Sequence, residues 1–243
     1  MTQMWGPGSS PGPTSFSRAA HTLPMKRLAV LALIVLGLAV AAPAQAQALP
    51  VTYRVDTKDP VVFITVDDGI ITPQAALDYV EKHRIPITSF LTSSQVTDAK
   101  VRYFERISRW GSIQNHTTTH ASLATSDAGL IKRQVCPVQV DYRRTFGDKP
   151  WMLRPPYGAG PSGSTLHDVA RRCKLTDIVM WDAVVEQGRL TTRYGGGLQP
   201  GSVILLHFTG NLAVDLKVAV SAARAQGLKP ANLGDYLRSP RSR

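Results

Sequence analysis

Cysteine is scarce in this chain: Cys136 and Cys173 are the only two in 243 residues. Their spacing matches no metal-binding pattern, which excludes a thiolate metal centre. As a pair they leave two readings open, a disulfide made after export or two buried free thiols. Internal repeats are absent. The longest apolar run, residues 28–42, has 15 residues, short of the roughly 20 that a transmembrane helix needs. Acidic residues are also few, 17 Asp and Glu against 28 Lys and Arg, for a formal charge of +11. The basic residues are scattered and form no recognition motif, so a nucleic-acid binder is excluded. In an exported protein the same charge favours adsorption to anionic cell-wall polymers.

The first 48 residues contain no Asp or Glu at all. Lys26 and Arg27 precede the apolar run, and Ala44-Gln45-Ala46 and Ala46-Gln47-Ala48 follow it as small-x-small sites. That layout is a secretory signal peptide over 25–48. Residues 1–24 then read as a misassigned start or a disordered leader, and 49–243 as one domain. The expected location is secreted or cell-wall associated, with no membrane span in the mature form.

Beyond residue 60, apolar β-type runs alternate with helical patterns. Strands are expected at 61–66, 87–91, 112–115, 151–153, 177–181 and 202–207, and helices at 73–84, 98–110, 126–146, 163–173 and 211–226. Pro137 should kink or interrupt the third helix. Such alternation implies βα units and a largely parallel sheet. Polar residues stand just after several strand ends: Asp67 and Asp68, His116, Arg154 and His207. In parallel βα folds that edge is where active sites assemble, and the pattern favours a barrel over an open sheet.

Two motifs invite metal chemistry. In NHTTTH, His116 and His120 are four apart and could share a metal from one face of a helical turn. Thr117 stands where a zinc protease would carry its glutamate, so that mechanism is absent. In VVFITVDDGI, Asp67 and Asp68 end a buried strand, and Gly69 permits the break that would bring both to one site. One carboxylate could bind a divalent cation and the other accept a proton from water whose pKa the cation lowers. Zinc suits two imidazoles and a carboxylate, and cobalt or manganese would also fit.

TVDDG, NHTTTH, RPPYG (residues 154–158) and LLH (residues 205–207) occur in the order found in the polysaccharide deacetylases, the NodB-like enzymes of carbohydrate esterase family four. The resemblance covers residues 61–237. It implies an α/β fold, a distorted (β/α)7 barrel, and an acetylated polysaccharide or oligosaccharide as substrate. By the same resemblance Asp67 is the general base, and Asp68, His116 and His120 bind the metal. Arg154 pairs with the base, the Tyr157 N–H binds the oxyanion, and His207 is the general acid. The activity implied is removal of N-acetyl groups from peptidoglycan or a chitin-like polymer. An O-acetyl esterase on xylan and a catalytically dead carbohydrate-binding barrel are the alternatives.

Departures from the pattern are Val66, Ile70 and the missing Asp-Trp pair after Trp181. Asp182 or Glu186 would have to orient His207 instead. Trp181 is a candidate pocket wall, whereas Trp110 and Trp151 are expected in the core and His83 and His167 in structural roles.

Overall fold

The computed structural model describes residues 48–125, 127–193 and 195–237, all within one compact unit of the chain, Gln45–Arg243. The expected leader and nearly all of the signal segment lie outside the described residues. Ten strands and five helices follow in chain order: β1 (Val51–Thr52), β2 (Val61–Asp68), α1 (Gln74–His83), β3 (Ile87–Leu91), α2 (Asp98–Ile107), β4 (Ser112–Asn115), α3 (Ala128–Phe146), β5 (Met152–Leu153), α4 (Ser164–Arg172), β6 (Asp177–Val179), β7 (Ala183–Glu186), β8 (Arg189–Thr192), β9 (Val203–His207), α5 (Leu212–Ala225) and β10 (Lys229–Pro230). Among the described residues no helix is long and apolar enough to cross a membrane.

The sheet runs β1-β6-β5-β4-β3-β2-β9-β7-β8, with β10 on the start of β2. Every pairing between these strands is parallel except the β7–β8 hairpin. Only residues 180–182 separate β6 from β7. One nearly continuous run therefore serves both ends of the strand order, and the sheet curls back on itself as a distorted (β/α)7 barrel. Val55 N–H donates to Gly201 O near this closure (2.9 Å). A Cβ at Gly201 would lie 1.9 Å from Val55 O, so only glycine allows the approach.

Parallel strands covered on both faces are apolar throughout, and β2 is buried along nearly its whole length. The two-residue period sorts its side chains. Val62, Ile64 and Val66 pack with Leu77, Phe104 and Leu216 of the surrounding helices. Val61 and Phe63 join Phe90, Met152, Val179 and Val203 in the barrel interior. Thr65 and Asp67 continue that inward face. Burying a polar face in an apolar barrel demands partners, which places the site before any chemistry is invoked.

Four findings correct or complete the sequence reading. The helix around Pro137 is not interrupted: α3 runs from Ala128 to Phe146 with the proline inside it. The second helix, read from the sequence as starting with Asp98 for its cap, has Thr97 in the capping position instead. The β7–β8 hairpin was not anticipated. The cysteines form a disulfide, Cα atoms 5.0 Å apart, tying α3 to the end of α4 across 37 residues. Closing that loop contributes about 4 kcal/mol in the chain-entropy picture. His167 is structural as expected, buried with Nδ1 accepting the Leu49 N–H at 3.0 Å.

Candidate active site

Asp67 and His207 are register partners on β2 and β9, and Asp67 also faces Phe90 on β3. In-register residues of parallel strands point the same way, so Asp67 and His207 share the barrel mouth. The chain leaves the strand at once: Asp68 has φ 80° and Gly69 φ 92°. The turn thus begins at Asp68 itself, and this swings its carboxylate to the side that Asp67 occupies. Gly69 has little room for a side chain, since a Cβ would approach the Phe104 ring at 3.1 Å. Lys100 caps the turn, donating to Gly69 O (3.1 Å) and Ile70 O (2.7 Å).

Arg154 is fully buried in the barrel. Its Nη1 donates to Asp67 Oδ1 (2.7 Å) and Thr65 Oγ1 (2.8 Å), Nε to Val179 O and Nη2 to Met180 O (both 3.0 Å). The guanidinium stacks over Phe90 at 4.3 Å. Burial lowers its pKa and the Asp67 charge works against that, but guanidinium stays protonated. Sequence reading anticipated the pairing with Asp67. It missed that the same side chain binds the seam between β6 and β7, where the free carbonyls of a strand end meet.

His116 and His120 are brought together by a compact loop rather than by a helical turn. Thr117 (φ 70°) and His120 (φ 61°) both adopt left-handed backbone, which costs about 1 kcal/mol or more each. The imidazole centroids are 5.0 Å apart. His116 Nδ1 donates to Arg154 O at 2.7 Å, a partner that only accepts, so the Nε2 lone pair faces the site. It lies 3.5 Å from Asp68 Oδ1 and 3.8 Å from Asp67 Oδ2, and His120 Nε2 is 3.1 Å from Asp68 Oδ1. Burial and the neighbouring His116 lower the His120 pKa despite the nearby carboxylates, which favours the neutral ligand form.

These residues fit a divalent cation. One ligand atom each from Asp68, His116 and His120 lies within 4.8 Å of the others. Asp68 Oδ1 is buried without any hydrogen-bond donor. Lone pairs converging with no donor between them repel, and a cation resolves the conflict. The His116 bond to a backbone carbonyl is the orienting contact that ligand histidines require.

Tyr157 follows β5 with φ 61° and is 72% exposed, its ring edge-on to His120 at 4.6 Å. The turn is closed by Gly158 N–H to Pro155 O and Ala159 N–H to Pro156 O (3.1 Å each). The Tyr157 N–H is left outside that pattern. Trp181 lies beside it, because a Cβ at Gly158 would come within 2.8 Å of the indole. Tyr157, Trp181, Tyr53, Val184, Thr191 and Arg193 line a groove of about 440 Å³ next to the histidines.

The carboxylates suggested for His207 are elsewhere. Asp182 Oδ1 accepts from Val203 N–H (2.8 Å) and Oδ2 from Ser202 Oγ (3.0 Å), at the start of β9 rather than its end. Glu186 is exposed at the hairpin, paired across the ladder with Arg189. Neither bonds to His207, which is half-buried.

With this geometry in place, the comparison with known proteins is decisive: the polysaccharide deacetylase family matches residues 54–178. The chain belongs to that family. An uncharacterized protein of Streptomyces coelicolor is 34% identical over 195 residues, 77% of either chain. The peptidoglycan-N-acetylmuramic acid deacetylase PdaA of Bacillus subtilis is 28% identical, over 76% of this chain and 74% of its own. The PdaA structure, a family 4 carbohydrate esterase, superposes with TM-score 0.61 at 24% identity, covering 76% and 84% of the two chains. A CE4 family pseudoenzyme from Bacillus anthracis superposes with TM-score 0.66 at 19% identity, covering 79% and 70%. The polysaccharide deacetylase fold thus also carries a protein described as a pseudoenzyme, so activity rests on the site residues.

Proposed function

We propose that this protein is an exported, metal-dependent deacetylase that hydrolyses N-acetyl groups of an aminosugar polymer of the peptidoglycan or chitin type. The observation that carries the reading is Asp68 Oδ1, an unpartnered buried oxygen between two imidazoles and beside a second, arginine-paired carboxylate. A binder has no use for that arrangement.

Asp68, His116 and His120 would hold the ion, zinc by donor type. When bound, a divalent cation polarises the acetyl carbonyl and makes water acidic enough to attack at neutral pH. Asp67 accepts the proton of the attacking water. Arg154 fixes one oxygen of Asp67, leaving Oδ2 turned toward His116. The free Tyr157 N–H donates to the oxygen that becomes negative as the carbonyl turns tetrahedral. His207, in register with Asp67 across the mouth, protonates the departing amine, which cannot leave as an anion. Water attacks directly, so no acyl-enzyme forms.

The groove supports a sugar chain, with the Trp181 and Tyr53 faces suited to pyranose rings. Arg193 is its cation, with the guanidinium 4.7 Å over the Tyr53 ring. The carboxylate of Asp182, the acid among the lining residues, is bonded to Ser202 and Val203.

Acetate release from peptidoglycan glycan, acetylated chitooligosaccharide and acetylxylan tests the reading. Release from an aminosugar polymer, abolished by chelator and restored by zinc, is expected. Glycan binding without acetate would mean a binder, and release from acetylxylan alone would mean an O-acetyl esterase.

A further inference from the structure

Pro137 is the sequence feature that the proposed chemistry leaves unused. It sits within α3, whose other side faces the histidine loop. Proline has no N–H, so the carbonyl four residues back, Arg133 O, has no helical donor, and the ring pushes the carbonyls before it outward. In this protein the loop that carries His116 and His120 bonds to Arg133 O and to the two carbonyls that follow it. Thr118 Oγ1 approaches Arg133 O at 3.3 Å and Gln134 O at 3.1 Å, and Thr118 N–H donates to Gln134 O at 2.8 Å. Asn115 Nδ2 donates to Val135 O at 3.0 Å. The Gln134 side chain closes the set, its Oε1 accepting the Thr119 N–H at 3.0 Å.

We propose that Pro137 is a positioning residue for the metal site: by withholding a helical N–H it frees the Arg133 carbonyl for Thr118, which completes the anchoring of residues 115–119 on α3 and so holds the two histidines at ligand spacing. The anchoring explains how Thr117 and His120, both in left-handed backbone, persist in a loop with no regular structure. Strain of that kind survives only where surrounding bonds over-determine it. The inference rests on the reading of Asp68, His116 and His120 as metal ligands.

The test is zinc affinity by chelator competition, alongside thermal unfolding of the metal-free protein, in the wild type, Pro137→Ala, Thr118→Val and the double variant. A merely structural proline makes a simple prediction: alanine improves the helix and leaves affinity alone. We expect instead that Pro137→Ala weakens zinc binding by about tenfold, the scale of lost outer contacts to metal ligands, while the melting temperature stays level or rises. Thr118→Val should weaken binding several-fold, and the double variant little more than Pro137→Ala, because both break one set of bonds. If Pro137→Ala does not fold, Thr118→Val alone decides, since it keeps shape and removes only the hydroxyl bonds. Unchanged affinity in the folded variants would overturn the proposal, as would an affinity loss that merely tracks a lowered melting temperature. A wild type that binds no zinc would instead overturn the metal reading beneath it.

Discussion

Asp68 and Asp182 are both largely withdrawn from solvent, yet their surroundings differ in kind. Asp182 spends both oxygens on donors, Ser202 Oγ and Val203 N–H, and ties the β6–β7 crossover to β9. Asp68 keeps one oxygen without a donor, in left-handed backbone, facing two imidazoles. Of the seven described non-glycine residues at positive φ, Asp68, Thr117, His120 and Tyr157 belong to this one site. Burial of a carboxylate therefore does not mark function. Unspent hydrogen-bonding capacity together with local strain does.

The sharpest way to break the comparison is to neutralise each carboxylate. Asp68→Asn should abolish metal retention and lower acetate release by at least a hundredfold with the fold intact. Asp182→Asn should leave kcat near the wild-type value and cost about 1–3 kcal/mol of stability, because a bonded acceptor is lost. Equal effects of the two changes on metal content would erase the distinction. Next in size is Arg154→Met, which leaves Asp67 buried and unpaired. Denaturant unfolding should show a loss of about 3–5 kcal/mol, and the residual folded protein should be inactive.

Acid unfolding of the metal-free protein sharpens the same contrast. Burial works to raise the Asp68 carboxyl, but the neighbouring His116, with His120 and His207, outweighs it and holds the group below its ordinary 3.8. A lowered carboxyl pKa contributes stability that is present above the ordinary value and lost as pH falls through the folded one. Asp68→Asn should flatten that limb below about pH 4. Asp182 differs in sign: burial raises its carboxyl despite the bonds from Ser202 and Val203. Its ionised form therefore costs stability as pH rises past the ordinary value, so Asp182→Asn should not remove the acid limb. The smallest effect is expected at Glu186, where Glu186→Gln should leave the pH–rate profile unchanged.

Much of this was legible in the chain. The order of the strands and helices along the chain, and the carboxylates and histidines at strand ends, follow from local periodicity and strand direction. What was hidden depends on partners distant in sequence. The β7–β8 hairpin has short strands that alternate weakly, and β7 continues from β6 with no helix between. The loop geometry of His116 and His120 was read as helical because spacing alone cannot reveal two left-handed residues. Pro137 was expected to disrupt α3, since its compensating donor, Thr118, lies about twenty residues away. Asp182 was offered as a partner of His207 because proximity in sequence does not say toward which end of β9 a side chain points.

The central claim is that one cation at Asp68, His116 and His120 turns this site on. Titrating zinc into the metal-free protein while following acetate release from glycan strands tests it directly. Activity should rise linearly and break at one equivalent, with Asp68→Asn flat throughout. Release that is already complete without metal, or that Asp68→Asn retains, would contradict it.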